Sequence, residues 1–269
     1  MVIGDSLHHT QSPILHNSIY KFLHCNAIML AHSTQNLSAT IQALKTLSVG
    51  LIAVTMPFKE AILPYVDQLS EEVKEIKSAN TIIRRHNKLV AYNTDINGVA
   101  YALRTIRLAN KNALIIGDGG AAHATTYYIK KNNATLLWLN RTPQRSHASI
   151  KIFGGSMINI EHIDALPIDI IINTTPLGMF PDIEHSPLPT YQFRSGQTVF
   201  DMVYNPIDTL LIKKARSQGA LCISGLEMFI GQGIKQIELW LNTSIANSEM
   251  TVLLKSTLEK FQSSTEKKI

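Results

Sequence analysis

Cysteine is scarce in this chain: there are two in 269 residues, Cys25 and Cys222, far apart and in no CxxC pair. Neither a disulfide framework nor a zinc ribbon can be built from them, so free thiols in a reducing cytoplasm are expected. No apolar run approaches the roughly 18 residues that suggest a membrane span. Residues 1–5 lack the basic region and long apolar segment of a signal peptide, so none is expected. The ten histidines show no HExxH or similar ligand spacing, and the adjacent His8 and His9 do not easily face one ion, so no metal is expected. The net charge is +5, without a basic stripe interleaved with aromatics. That argues against a nucleic-acid partner and suits a small anionic ligand. There is no internal repeat.

What is present is the composition of a soluble globular protein, 45% hydrophobic and 17% charged, long enough for one large core or two modest ones. Residues 112–145 organise it. An apolar run, 113–116, stops at Gly117-Asp118-Gly119-Gly120-Ala121-Ala122; a helical segment follows; a second apolar run, 134–139, ends in Asn140-Arg141-Thr142. The spacing Gly117-x-Gly119-x-x-Ala122 satisfies the dinucleotide fingerprint in its strand–turn–helix–strand setting. Gly117 permits the tight turn, Gly119 bares the backbone to a pyrophosphate, and Ala122 lets the helix pack close to the sheet. The helix N-terminus offers free N–H groups to the phosphates. An NAD site places an acid near the end of the second strand. Here that neighbourhood holds none, while Asn140, Arg141, Thr142 and Arg145 offer guanidinium and polar groups, so NADP is expected. Asp118 gains nothing beside phosphates and is expected to point to solvent.

Around this unit the chain reads as alternating strands and helices. A very short strand, 1–4, precedes a loop with His9, Thr10 and Ser12, and Pro13 opens a helix over 14–23. A strand is expected at 27–32 and an amphipathic helix at 37–47. The buried-type strand 50–55 runs into Met56-Pro57-Phe58-Lys59, which sets Lys59 at a strand's C-terminal end, where ligands of open α/β sheets gather. A charged helix, 70–78, and a hairpin, 79–84 with 88–92 about His86-Asn87, follow. Asn93-Thr94-Asp95 then precede a helix at 98–107, where an Asp is by default an N-cap. Beyond the nucleotide unit come a weak strand at 154–160, a strong one at 168–173 and another at 197–202. A helix at 209–218 is closed by Gly219, and a short strand at 221–224 leads to helices at 225–240 and 248–261. The tail 263–269 is expected to fray.

Taken together these motifs resemble the shikimate dehydrogenase family over nearly the whole chain. His9-Thr-Gln-Ser12-Pro13 is similar to its substrate-carboxylate loop, and Val54-Thr-Met-Pro-Phe-Lys59 to its catalytic lysine motif. Ala79-Asn80-Thr81 and Asn93-Thr94-Asp95 are similar to its other substrate motifs, and the 117–122 turn with Asn140-Arg141-Thr142 to its NADP site. Residues 173–178, 201–206 and 225–232 resemble its later blocks in order. The resemblance implies a two-domain α/β protein with the site in the cleft: an α/β/α substrate domain, 1–96 plus 226–269, and an inserted Rossmann-type doubly wound NADP-binding domain, 97–225. It implies NADPH-dependent, reversible reduction of 3-dehydroshikimate to shikimate in chorismate and aromatic amino-acid biosynthesis, by a cytoplasmic monomer or homodimer. Lys59 and Asp95 are the implied catalytic pair. Thr10, Ser12, Thr55, Asn80, Tyr204 and Gln232 join them around the substrate. Cofactor contacts are implied at Gly117, Asp118, Gly119, Gly120, Ala121, Ala122, Asn140, Arg141, Thr142, Arg145, Thr174, Met202 and Gly225.

Three departures stand out. Thr10 replaces the usual Ser, keeping the hydroxyl but adding a methyl; Ala53 replaces the usual Asn, removing a polar group near Lys59; and the first strand is short by several residues. The runner-up readings are a quinate/shikimate dehydrogenase with relaxed substrate choice and a non-catalytic sensor of a cyclic acid. Lys59 and Asp95, both intact, argue against the sensor.

Overall fold

A computed structural model describes the chain except for His9, Ala246 and residues 267–269, and, as to side chains, 143–145 and 263–266. The chain forms two compact units, Met1–Gly98 with Ile230–Ile269, and Val99–Phe229.

In the first unit the elements run β1 (Val2–Gly4), α1 (Ser12–Phe22), β2 (Ala31–Ser33), α2 (Leu37–Thr46), β3 (Leu51–Val54), α3 (Phe58–Ala61), β4 (Gln68–Leu69), α4 (Glu71–Ile76), β5 (Thr81–Arg85), β6 (Lys88–Tyr92) and the start of α5 (Asp95–Ala102). The six-stranded sheet has the order β2-β1-β3-β5-β6-β4. Strands β2, β1 and β3 are parallel, while β5 runs antiparallel to both β3 and β6. Every residue of β1 and β3 is buried, as expected of strands covered on both faces. The β5–β6 turn is made by His86 and Asn87, both at positive φ, the conformation a two-residue hairpin needs. Asn36 caps α2 and Ser70 caps α4, each accepting a first-turn N–H.

The strand expected at 27–32 is shorter. Asn17 accepts from the Met29 N–H at 2.7 Å and donates to its carbonyl at 3.1 Å, taking the two backbone groups a strand ladder would use. Only Ala31–Ser33 pair with β1, as an exposed edge strand.

The second unit runs β7 (Asn112–Ile116), α6 (Gly120–Lys131), β8 (Thr135–Leu139), α7 (Pro143–Phe153), β9 (Ser156–Met157), β10 (Ile170–Asn173), β11 (Thr198–Asp201), α8 (Leu210–Ser217) and β12 (Leu221–Ser224). The last two helices, α9 (Gly225–Leu241) from Ile230 on and α10 (Ser248–Glu266), belong to the first unit and not to the second. The second unit's sheet order is β12-β11-β10-β7-β8-β9 with every pairing parallel, the doubly wound order that reverses between β7 and β10. A core of Leu114, Ile116, Ile171, Val199, Leu211 and Ile212 packs helices on that sheet. The weak strand expected at 154–160 is only Ser156–Met157, because Asn159 accepts from the Glu161 N–H and turns the chain into a 3-10 helix, Ile160–Ala165. The expected helix at 98–107 instead starts at Asp95 and ends at Ala102. The fraying expected at 263–269 falls on side chains, and beyond Glu266 on backbone, that lie outside the described residues. Among those described, no helix is long and apolar enough to cross a membrane.

Candidate active site

Lys59 sits in α3, just past the C-terminal end of buried β3. Two backbone bonds fix that turn to the strand beside it: Val54 N–H donates to the Asn80 carbonyl at 2.8 Å, and Ala79 N–H to the Lys59 carbonyl at 2.8 Å. The loop after β1 closes on the same turn, with Asp5 N–H on the Met56 carbonyl at 3.2 Å. Gly4 makes this possible: a Cβ there would stand 2.6 Å from Thr55 Cγ2 and 3.1 Å from the Met56 carbonyl oxygen. Lys59 Nζ then donates to Asp95 Oδ2 at 2.6 Å, with the two side chains only 17% and 7% exposed.

Asp95 is the first residue of α5, but it is not the cap that its sequence position suggests. Its second oxygen, Oδ1, accepts from Asn80 Nδ2 at 2.8 Å. Asn80 Oδ1 in turn accepts from the Thr94 N–H at 2.7 Å, so Asn80 grips both residues at the helix start. Each carboxylate oxygen therefore has a donor, and the helix N-terminus favours the negative charge.

The other expected substrate residues divide between the units. In the first, Thr10 Oγ1 donates to Ser12 Oγ at 3.3 Å, so two hydroxyls lie together at the entry to α1. His9 of the same loop lies outside the described residues. Thr55 follows β3 directly, and Gln232 is buried on α9. Tyr204 belongs to the second unit, where its ring stacks on Phe229 with centroids 4.3 Å apart.

In the second unit Gly117 ends β7 at φ 106°, and a Cβ there would lie 2.7 Å from Thr174 Oγ1. Thr174 donates that hydroxyl to the Ile116 carbonyl at 2.7 Å. Gly119 differs: a Cβ built on it meets nothing within 4 Å. The protein's own packing does not demand glycine there, so the open space above it fits a ligand brought against the backbone. Gly119 is also the N-cap of the twelve-residue α6 and caps it with no side chain, leaving the N–H groups from Gly120 and Ala121 onward to an anion. Ala122 is fully buried against the sheet. At the end of β8, Asn140 donates to Ser146 Oγ at 3.0 Å and accepts from the Thr142 N–H at 3.3 Å. Arg141 and Thr142 are exposed, and among the described residues no ion pair holds Arg141. Arg145 lies in α7, with its side chain outside the described residues. Asn140, Arg141 and Thr142, with no acid among them, fit a 2′-phosphorylated dinucleotide.

Asp118 corrects the expectation that it points to solvent. Its side chain is 5% exposed, accepts a short hydrogen bond from Ser149 Oγ, and lies 3.3 Å from His123 Nε2. The carboxylate is thus turned onto α6 and α7, away from solvent. No local pattern announced Ser149, because it lies 31 residues away. Met202 receives a weak hydrogen bond from Thr125 on its sulfur, and its carbonyl lies where a Cβ at Gly225 would intrude, at 2.2 Å. Beside it Asp201 is fully buried, with no cation paired to it among the described residues, accepting from Asn173, Val203 N–H and Thr209. Burial raises its carboxyl pKa to about 6 against the hydrogen bonds that would lower it. Among the described residues no cluster of His, Cys, Asp and Glu could hold a metal ion.

Comparison with known proteins agrees with this geometry. The family model of the shikimate dehydrogenase substrate binding domain matches residues 2–82. A shikimate dehydrogenase (NADP+) of Pyrococcus furiosus is 37% identical over 246 residues, covering 89% of this chain and 88% of its own. A crystal structure of a shikimate dehydrogenase in complex with NADP+ superposes with a TM-score of 0.89 at 31% identity, covering 96% of this chain and 93% of that one. The Thermus thermophilus shikimate 5-dehydrogenase, solved with NADP(H) and shikimate, gives 0.86 at 29% identity, covering 95% and 98%. The likeness runs along nearly the full length at more than 30% identity, and the chain belongs to the shikimate dehydrogenase family.

Proposed function

We propose that this chain catalyses the reversible, NADP-dependent interconversion of 3-dehydroshikimate and shikimate, on the route to chorismate and the aromatic amino acids. The observation that carries the reading is the Lys59–Asp95 pair, held at a strand end by Asn80 and largely shielded from water. NADPH, when bound, supplies the hydride. Reduction of a ketone leaves charge developing on oxygen, and Lys59 Nζ provides both a proton and a cation for it. In the oxidative direction Lys59 takes the proton back from the hydroxyl. Asp95 keeps the ammonium aimed and accepts from a ring hydroxyl; each is the other's charge partner, so neither is left as an unpaired, desolvated ion.

The first unit holds the substrate: Thr10 and Ser12 donate hydroxyl hydrogen bonds to its carboxylate, while Thr55, Asn80 and Gln232 contact the ring hydroxyls. The second unit would hold NADP, with its pyrophosphate on the 117–122 turn, its 2′-phosphate at Asn140, Arg141, Thr142 and Arg145, and Thr174, Met202 and Gly225 as further contacts. The enzyme works in the cytoplasm, where Cys25 and Cys222, both unpaired, stay reduced.

The test is absorbance at the reduced-nicotinamide band with shikimate or quinate, each with NADP or NAD. Turnover with shikimate and NADP is expected, largely abolished by Lys59→Ala and by Asp95→Ala. Near-normal rates in Lys59→Ala would refute the role given to that residue. Absence of turnover with every pair would refute the enzyme reading in favour of a sensor, and equal use of quinate would assign relaxed substrate choice.

A further inference from the structure

A chain of buried polar side chains runs behind the Lys59–Asp95 pair, and the chemistry above uses only the Asn80 at its near end. His16 Nδ1 lies 2.9 Å from the Ser12 carbonyl oxygen, and its Nε2 lies 2.9 Å from Gln236 Oε1. Gln236 Nε2 donates to Thr81 Oγ1 at 2.9 Å. Thr81 Oγ1 donates to Asn80 Oδ1 at 2.8 Å and also meets Thr94 Oγ1 at 3.0 Å. Asn80 then reaches Asp95 at 2.8 Å, and Asp95 reaches Lys59. The links come from α1, α9, β5 with the residue before it, α5 and α3, all in the first unit, and His16, Gln236, Thr81 and Asn80 are each at most 3% exposed.

The helix crossing is built to allow it. Gly233, one turn before Gln236 on α9, has no Cβ where one would stand 2.4 Å from Leu15 Cδ2 and 3.8 Å from His16 Cε1. That absence lets α1 come close enough to α9 for His16 and Gln236 to bond. Apolar side chains of similar volume would fill the same space without the desolvation that buried polar groups incur. A neutral His16 has one N–H and a carbonyl oxygen at each ring nitrogen, so it donates to one of the two and packs against the other, while every link from Gln236 to Lys59 carries its own donor. What apolar residues could not supply is fixed direction, and both ends of this chain need it. One end is the backbone carbonyl of Ser12, the residue whose side-chain hydroxyl meets Thr10, and the other is the carboxylate that aims Lys59.

We propose that His16 and Gln236 are positioning residues that, through Thr81 and Asn80, hold the Thr10–Ser12 hydroxyls and the Lys59–Asp95 pair in one fixed arrangement. The inference rests on the reading of this site as a shikimate-binding and proton-transferring one. It separates the substrate side of the protein from the cofactor side, since no link of the chain lies in the second unit.

Thr81→Val breaks the chain at its middle with little change in volume and with a residue that suits a strand, while Thr81→Ser keeps the hydroxyl. Gln236→Leu breaks it one link away. For Thr81→Val and Gln236→Leu, kcat with shikimate is expected to fall tenfold or more and KM for shikimate to rise severalfold. KM for NADP should stay within twofold, and the pH profile of kcat should shift. Thr81→Ser should return to within threefold of the parent. The double variant should be little worse than either single one, because both cut one chain. Three results would overturn the inference while wild-type turnover is normal: kinetics unchanged in both variants, an unmoved pH profile with KM for NADP rising equally, or multiplicative losses in the double variant. A wild-type protein that turned over no substrate pair would overturn the functional reading and this inference with it.

Discussion

Asp201→Asn should change how the second unit's stability depends on pH. Asp201 is buried with three donors and, among the described residues, no cation, and its pKa rises from 3.8 to about 6. Between those values the folded protein holds a proton that the unfolded chain has released, so stability falls as pH rises. Integrated from pH 4.5 to 7, this group alone removes about 2 kcal/mol. Asparagine keeps the carbonyl for Asn173 and Val203 and offers its N–H₂ to Thr209 Oγ1, so hydrogen bonding survives while the titration disappears. His16 in the first unit does the opposite. Burial lowers its pKa from 6.5 to about 4, so the unfolded chain binds the extra proton and stability is lost as pH falls from 6.5 toward 4. That contribution is also about 2 kcal/mol between pH 7 and 4.5. A readout averaged over the chain would let the two cancel. The chain has two tryptophans, Trp138 in β8 and Trp240 in α9, one in each unit. Urea unfolding followed by fluorescence in Trp240→Phe therefore reports the second unit, and in Trp138→Phe the first. On the Trp240→Phe background, Asp201→Asn should gain about 2 kcal/mol on its parent between pH 4.5 and 7, other titrations cancelling in the difference. A difference independent of pH would refute the assignment of a desolvated carboxylate to this site.

Two further outcomes follow from the nucleotide turn. Gly119→Ala should leave the melting temperature within about 2 °C, because the added methyl meets nothing, yet raise KM for NADP tenfold or more. Gly117→Ala should instead lose about 2 kcal/mol in thermal or urea unfolding, since φ is 106° and Thr174 stands in the way. If both variants lost stability equally, the space above Gly119 would not be a ligand's. Arg141→Ala should raise KM for NADP by roughly tenfold and leave that for NAD nearly unchanged, the loss of about 1.5 kcal/mol expected for one charge-assisted pair at an exposed site. Equal effects on the two cofactors in steady-state assays would remove Arg141 from the 2′-phosphate.

Much of this fold was legible in sequence because it is written locally. Period, glycine spacing and cap residues placed α2, α8 and β12 nearly to the residue, since each depends on neighbours within one or two turns. The ends of β7 and β8 were legible for the same reason, and with them the phosphate turn and the missing acid. The failures share a different cause. The strand expected at 27–32 was cut short by Asn17, which reaches Met29 from a helix, and Asp118 was turned inward by Ser149 of α7. Both are side-chain-to-partner bonds across more than ten residues, and nothing in the local pattern encodes them. The same limit explains why Lys59 and Asp95 could be named by resemblance while His16 and Gln236 could not. A motif records the residues that meet a ligand. Those that hold them in place are spread over α1, β5 and α9, and they join only where Gly233 lets two helices touch. A glycine inside an otherwise good helix is the one trace such a crossing leaves in the sequence, for it costs about 1 kcal/mol against alanine and needs a close neighbour to justify it.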